Sequence, residues 1–439
     1  MLGNDEITVE EYNGIPVRRY DHSPQFYNSE EICETFGEYS SSLTELLPSC
    51  PYTSSNTSKL NITEFFKRFK GLFNEVFLPQ GYPHTVTADY VQYQIWDTAQ
   101  AFASSLTGSL ATSAVLKGVG VGSGSASVLA ASITWLLKDG TGMVGRIIFA
   151  WAKGTRLDSE CKKWRLVADV LNDIAFFVDL LAPHFSAALF APCACVSSLL
   201  RSIVGVSGGA TRTAIVRHQA RRDNLADVAA KDGSQETLVN VISLCVSLIL
   251  LPLVDGKPVI IWALFIIFTI AHLFSNYRAV CSLQLDTLNQ ARFILCVRKF
   301  VTTGQVLSII ECNKMEPLIG QKCPARSFGC ELRSIPRTSP NTVGHREPHG
   351  KWLYAFDKRR LKGWAAFSAG VTQEDIFSGI FQLEYFVANK FQTLPADFIS
   401  QKENLFRDAM TLAGWQLHTH QLAVDEWRYR LASDKAKNV

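Results

Sequence analysis

The chain has 439 residues and a net charge of +3, and 47% of its residues are hydrophobic against 19% charged. That length exceeds one compact core and leaves room for two or three domains. So even a charge balance excludes nucleic acid or an acidic surface as an obligatory partner.

Eleven cysteines occur without a C-x-x-C pair, which reads as free thiols acting as small hydrophobes. Cys312, Cys323 and Cys330 with His345 or His349 are the best metal alternative, but their spacing matches no zinc pattern. His418-Thr419-His420 would set two imidazoles on one face of a strand with no third ligand in sight. No metal and no cofactor is therefore expected.

In chain order, residues 1–60 are mixed and rich in Ser and Thr after Ser40, as in a partly ordered arm. Its acidic start (Asp5, Glu6, Glu10, Glu11) resembles neither a secretory signal nor an Arg-rich transit peptide. Residues 61–297 turn helical and apolar, and residues 298–439 read as a soluble α+β domain interrupted by a polar loop at 321–350. The expected fold is mainly α, a membrane-embedded bundle of about six helices followed by a small α+β C-terminal domain.

Two uncharged runs, Thr237–Val254 and Pro258–Tyr277, have 18 and 20 residues joined by Asp255-Gly256-Lys257. Each can cross about 30 Å of hydrocarbon at about 1.5 Å per residue. A transmembrane hairpin is the leading reading, and a buried soluble helix pair the alternative. Four weaker segments are Thr98–Leu116, Gly118–Leu137, Lys162–Leu181 and Leu180–Leu200. Ala101, Ser105, Ser109 and Ser113 recur every four positions in the first, which suits close helix–helix packing. The glycine-rich stretch Gly118–Gly124 reads as a hinge between helices.

Loops 153–165 and 212–231 hold ten Lys and Arg, whereas the opposite turns hold only Lys117 and Lys257. The expectation is a multi-pass protein with both basic loops and both termini on the cytoplasmic-type side. The sequons at Asn56 and Asn61 would then stay unused. One internal echo exists: Ser104–Leu106 and Lys138–Gly140 match Ser197–Leu199 and Lys231–Gly233 at an offset of 93. Chance and duplication both remain open.

Gly208 and Gly209 ahead of Thr211 and Arg212 could converge backbone amides on an anion at a helix start. Arg217 with Arg221, and His218 with Arg222, would then share faces and favour an anionic partner. The candidates are an anionic lipid headgroup or a phosphorylated small molecule. Gly205-Val206-Ser207-Gly208-Gly209 also fits G-x-S-x-G, but the run before it continues a helix rather than a strand. Arg165, Asp169, Asn172, Asp173 and Asp179 form one polar stripe, which must face water, headgroups or partner cations. With Asp139, Lys231 and Asp232 it makes a candidate polar path.

Several long stretches, read together, resemble the root UV-B sensitive (RUS) family. They include Phe77-Leu78-Pro79-Gln80-Gly81-Tyr82-Pro83, Tyr93-Gln94-Ile95-Trp96-Asp97, and Lys138-Asp139-Gly140-Thr141-Gly142-Met143. Gly208-Gly209-Ala210-Thr211-Arg212, His218-Gln219-Ala220-Arg221-Arg222 and Ala230–Thr237 complete the pattern over about residues 65–295. The resemblance implies a role in vitamin B6 homeostasis but carries no catalytic residue across. The expected function is non-enzymatic homeostasis of a small metabolite or lipid, as a carrier in the bilayer. The alternative is a membrane-anchored scaffold holding a RUS-family or other protein partner through its C-terminal domain.

Overall fold

Six long helices follow one another between Tyr90 and Ser282 in a computed structural model. It describes residues 8–12, 16–21, 74–118, 128–318, 324–336, 342–347, 349–392 and 394–429. The chain divides into two units, Met1–Gly81 and Tyr82–Val439. In the first, β1 (Thr8–Tyr12) pairs antiparallel with β2 (Pro16–Asp21). Both sequons lie outside the described residues.

The second unit begins with α1 (Tyr90–Gly118), α2 (Val128–Lys153) and α3 (Cys161–Leu181). It continues with α4 (Ala187–Gln219), α5 (Leu225–Val254) and α6 (Pro258–Ser282). Three of them, over Leu189–Gln219, Leu225–Val254 and Pro258–Ser282, are long and apolar enough to cross a membrane. The hairpin expected at 237–277 is present, with both arms longer than their uncharged runs. Lys162–Leu181 matches α3 almost end to end.

Elsewhere the boundaries move. The second helix spans Val128–Lys153, well past the expected end at Leu137; residues 119–127, with most of the expected hinge, lie outside the described residues. The segment placed at 180–200 begins only at Ala187, after a tight turn at Ala182–His184, and continues to Gln219. Its glycines cost about 1 kcal/mol each relative to alanine. Packing of α4 on both α2 and α3 holds the helix through them.

The helices form two corresponding trios. Each member of α4–α6 begins 97 residues after its counterpart in α1–α3 and ends 101 after it. Packing follows the same exchange. α1 lies on α6 as α4 lies on α3, and α2 lies on α4 as α5 lies on α1. One pair departs, since α1 packs on α3 without a comparable contact between α4 and α6.

The trios run in opposite directions. Val115, near the end of α1, packs with Phe190, near the start of α4, while His218, near the end of α4, lies 3.1 Å from Asp89, just before α1. The offset of the echo, 93, is four residues short of that between the helix starts and eight short of that between their ends.

The outer faces of these helices are mainly apolar, with Asp139 and Arg146 of α2 as exposed exceptions. Trp151 is 86% exposed, Val259 80%, Leu136 71% and Ile147 70%. Inside lie Gln94, Gln100, Asp169, Asp173, Asp232, His272 and Asn276, all buried. A bundle folded in water has the opposite arrangement. Ser105 and Ser109 of the small-residue stripe meet Asn240 and Ser247 of α5 at 2.9 Å.

Beyond α6 come β3 (Thr287–Asn289), α7 (Gln290–Thr303) and α8 (Ile309–Met315). Asn289 caps α7 by accepting the Arg292 amide at 2.9 Å. The strands β4 (Ala325–Phe328), β5 (Thr342–Arg346), β6 (Trp352–Asp357) and β7 (Lys362–Ser368) then form a sheet in the order β4-β7-β6-β5. Helices α9 (Gln373–Ala388) and α10 (Ala396–Leu412) follow. Phe293 of α7, Phe377 and Phe381 of α9 and Phe406 of α10 pack edge and face in one core. Last come β8 (Gln416–Gln421), which pairs with β3, and β9 (Arg428–Tyr429), beside β7. The α+β fold expected of the C-terminal region is present.

A buried ion cluster ties the two parts of this unit together. Arg292 donates to both oxygens of Glu316 at 2.9 Å, and the Lys162 ammonium of α3 lies 3.3 Å from the same carboxylate. All three side chains are at most 5% exposed.

Candidate functional site

Side chains at i, i+4 and i, i+7 share one helix face. Tyr93, Asp97 and Gln100 of α1 therefore meet Arg165, Asp169 and Asp173 of α3, with His272 and Asn276 of α6 opposite. His272 is fully buried. Its Nδ1 lies 2.9 Å from Asp173 and its Nε2 3.3 Å from Asp169. Gln100 donates to Asp169 at 2.6 Å. Farther along the seam Arg165 and Tyr93 both donate to Asp97, at 2.6 and 3.2 Å. Asn276 donates to the Arg165 carbonyl at 3.2 Å. The seam thus holds three carboxylates against one guanidinium and one imidazole.

The polar stripe on α3 therefore faces inward, onto partner cations. Asp179, at its far end, pairs with Arg201 of α4, and Asn172 donates to Ser104. Asp232 of α5 accepts from Gln94 at 3.0 Å and from Arg212 at 2.6 Å, and Arg212 also reaches Glu236. Lys231 is half-buried beside it. Asp139 does not join them: it is exposed on α2 and makes no hydrogen bond with the seam among the described residues.

The anion cradle expected at Gly208-Gly209 is absent. Both glycines lie in the middle of α4, where backbone amides are committed to carbonyls four residues back. Thr211 is buried with its hydroxyl on the Ser207 carbonyl at 2.8 Å. Ser207 is fully buried and donates to the Ile203 carbonyl at 2.7 Å, with a helix before it and not a strand. A nucleophile elbow needs a strand there.

The basic residues beyond the glycines do gather. His218 Nε2 lies 3.1 Å from Asp89 and its Nδ1 3.5 Å from Asp286, to which Arg221 donates at 2.9 Å. His218, Arg221 and Asp286 border a cavity of about 300 Å³ between the end of α4, the turn after α6 and β8, also lined by Arg217, Thr287, Gln416 and Gln421. Arg222 is exposed in the turn that follows, where Asn224 accepts from its amide.

Burial would raise the Asp286 carboxyl, but His218 and Arg221 outweigh it and hold it down at about 2. Asp89 is likewise below its usual range, because the bonds from His218 and the Gln284 amide outweigh burial. A depressed folded-state pKa contributes stability above the unfolded value that is lost as pH falls through the folded one. For Asp286 this window runs from about 3.8 down to about 2. In acid melts, Asp286→Asn is expected to show a shallower loss of thermal stability across it than the natural chain.

Among the described residues no group of three or more His, Cys, Asp or Glu could hold a metal ion. Cys312 and Cys330 belong to separate cores, and Cys323 and the His420 side chain lie outside the described residues.

The seam partners Asp97, Gln100 and His272, with Asp89 and Asp286 at the end of the bundle, escape a reading by segment. Their signal was His272 and Asn276, four apart in an otherwise apolar run.

The vitamin B6 photo-protection and homoeostasis domain matches residues 65–304. The chain is 46% identical to RUS family member 1 of Dictyostelium discoideum over 60% of its own length and 51% of the relative's. To root UVB sensitive 3 of Arabidopsis thaliana it is 42% identical over 64% of its length and 63% of the relative's. A third relative, root UVB sensitive 5 of the same plant, is 27% identical over 95% of the chain and 86% of its own length. The first two relatives are thus spanned over only half to two-thirds of their lengths. No solved structure matches.

Proposed function

This chain belongs to the root UV-B sensitive family, and on that premise we propose that it is a membrane-embedded carrier of a small metabolite in vitamin B6 homeostasis. The observation that carries the reading is the polar seam of α1, α3 and α6, enclosed by two inverted helical trios whose outer faces are mainly apolar. Ionisable side chains inside a membrane bundle mark substrate or ion paths, and inverted repeats around a central site are the architecture of many secondary carriers.

In this reading all six helices cross, with both termini and the short turns at 154–160 and 220–224 on the cytoplasmic-type side. Lys117, Lys257 and the α5–α6 turn lie opposite. The protein binds and passes its solute without altering it. The α+β region, tied to α3 through Lys162 and Glu316, caps the cytoplasmic-type end.

The test is flux of labelled B6 vitamers in vesicles holding the purified full chain. Saturable uptake above protein-free vesicles is expected. Equal leakage with and without the protein, for every vitamer tried, would leave the scaffold role as the better account.

A further inference from the structure

The bundle has a cavity at each end, and the exchange of trios turns one into the other. Near the α5–α6 turn, about 280 Å³ lies between the last turn of α1, the turn after α3 and the start of α6. At the opposite end, about 300 Å³ lies between the last turn of α4, the turn after α6 and the start of α3. Lys117 and His218 are each the penultimate residue of their helix, and Pro258 and Cys161 each the first. All four line their cavities.

The chemistry matches although the residues differ. Lys117, His184 and Lys257 face Asp255 at one mouth; Arg217, His218 and Arg221 face Asp286 at the other. Asp255 pairs with Lys117 at 2.5 Å, and Asp286 with Arg221 at 2.9 Å and the His218 ring at 3.5 Å. Among the described residues the Lys257 ammonium donates to the Leu253 carbonyl at the end of α5, and neither Lys257 nor Arg217 makes an ion pair among them. Each mouth therefore keeps a cation able to meet an incoming charge.

We propose that these are the two mouths of one path and that the solute passing them is a small organic anion of the phosphate-ester class. The inference rests on the carrier reading. Cavities of this size sit at the lower limit for small-molecule sites, which suits a one-ring metabolite phosphate and is too small for a phospholipid. Arg and Lys are the side chains that take phosphate, Arg by paired hydrogen bonds and Lys as a point charge. Between the mouths, the basic partners of Asp97, Asp169 and Asp173 among the described residues are Arg165 and His272, so the anion's charge is offset there by an accompanying cation, a proton included.

The test uses vesicles in which the orientation of the full chain is known, with labelled pyridoxal 5′-phosphate and pyridoxal as solutes and inorganic phosphate as competitor. Pyridoxal 5′-phosphate is expected to be carried and competed by phosphate. Lys257→Gln should raise its half-saturation about tenfold for entry at the α5–α6 end, and Arg217→Gln about tenfold for entry at the opposite end. Both variants should melt as the natural chain does, since neither side chain is in an ion pair among the described residues. Pyridoxal carried without phosphate competition, and unchanged by either variant, overturns the anion inference and leaves the carrier standing. A change with only one variant overturns the pairing of the mouths. Flux of no solute removes the carrier reading itself.

Discussion

Glu316→Ala is expected to destabilise the protein by about 3–5 kcal/mol, read as a large fall in melting temperature of the detergent-solubilised chain. The carboxylate accepts two hydrogen bonds from Arg292, one from Asn289 at 2.6 Å, and faces the Lys162 ammonium at 3.3 Å. Burial alone would raise its pKa, yet Arg292 and Lys162 keep it below the ordinary range. Removing it strands two cations among groups that are at most 5% exposed, and an unpaired buried charge costs far more than a lost surface contact. Replacing Arg292 by Met and Glu316 by Leu together should cost less than Glu316→Ala alone, because only Lys162 is then left. Lys162 keeps its bonds to the Leu283 carbonyl and Asn313. A double variant as damaged as the single one would mean that the cluster matters for shape and not for charge.

The second large effect is on transport. His272→Ala is expected to lower vesicle flux by at least about a hundredfold, the scale of losing an essential proton-transfer or charge-balancing group. The imidazole touches Asp169, Asp173 and Gln100 at once, and no neighbouring side chain can replace it between the two carboxylates. Asp173→Asn keeps the size and one hydrogen bond while removing a charge, so it separates packing from electrostatics. Flux lost in both variants with folding retained points to charge in the seam. Flux retained in Asp173→Asn would limit the role of that carboxylate to holding the ring.

Much of this arrangement is legible in the sequence, and the losses have physical causes. The α5–α6 hairpin is evident because uncharged runs of that length have few other homes. Periodicity on α3 gave the polar stripe, but direction was undetermined, since a stripe can face water or partners equally well. Only the structure pairs Asp97 with Arg165 and His272 with Asp173, each 68 or more residues apart in sequence.

Gly208 and Gly209 misled because glycine pairs usually open or end helices, whereas here packing on two sides overrides propensity. The correspondence of the two trios is faint as identity and clear as geometry. Helix length and packing order survive replacement of nearly every side chain, which the mouths illustrate with Lys117 in one and His218 in the other.

The most direct test of the membrane-embedded, inverted arrangement is sidedness. Single cysteines would be placed at Lys257 and at Arg222 in a chain otherwise free of cysteine, and sealed vesicles treated with a membrane-impermeant maleimide. The arrangement requires the two positions to label from opposite faces of the bilayer. Labelling of both from one face, or a folded chain that stays monodisperse in water without detergent, would contradict it.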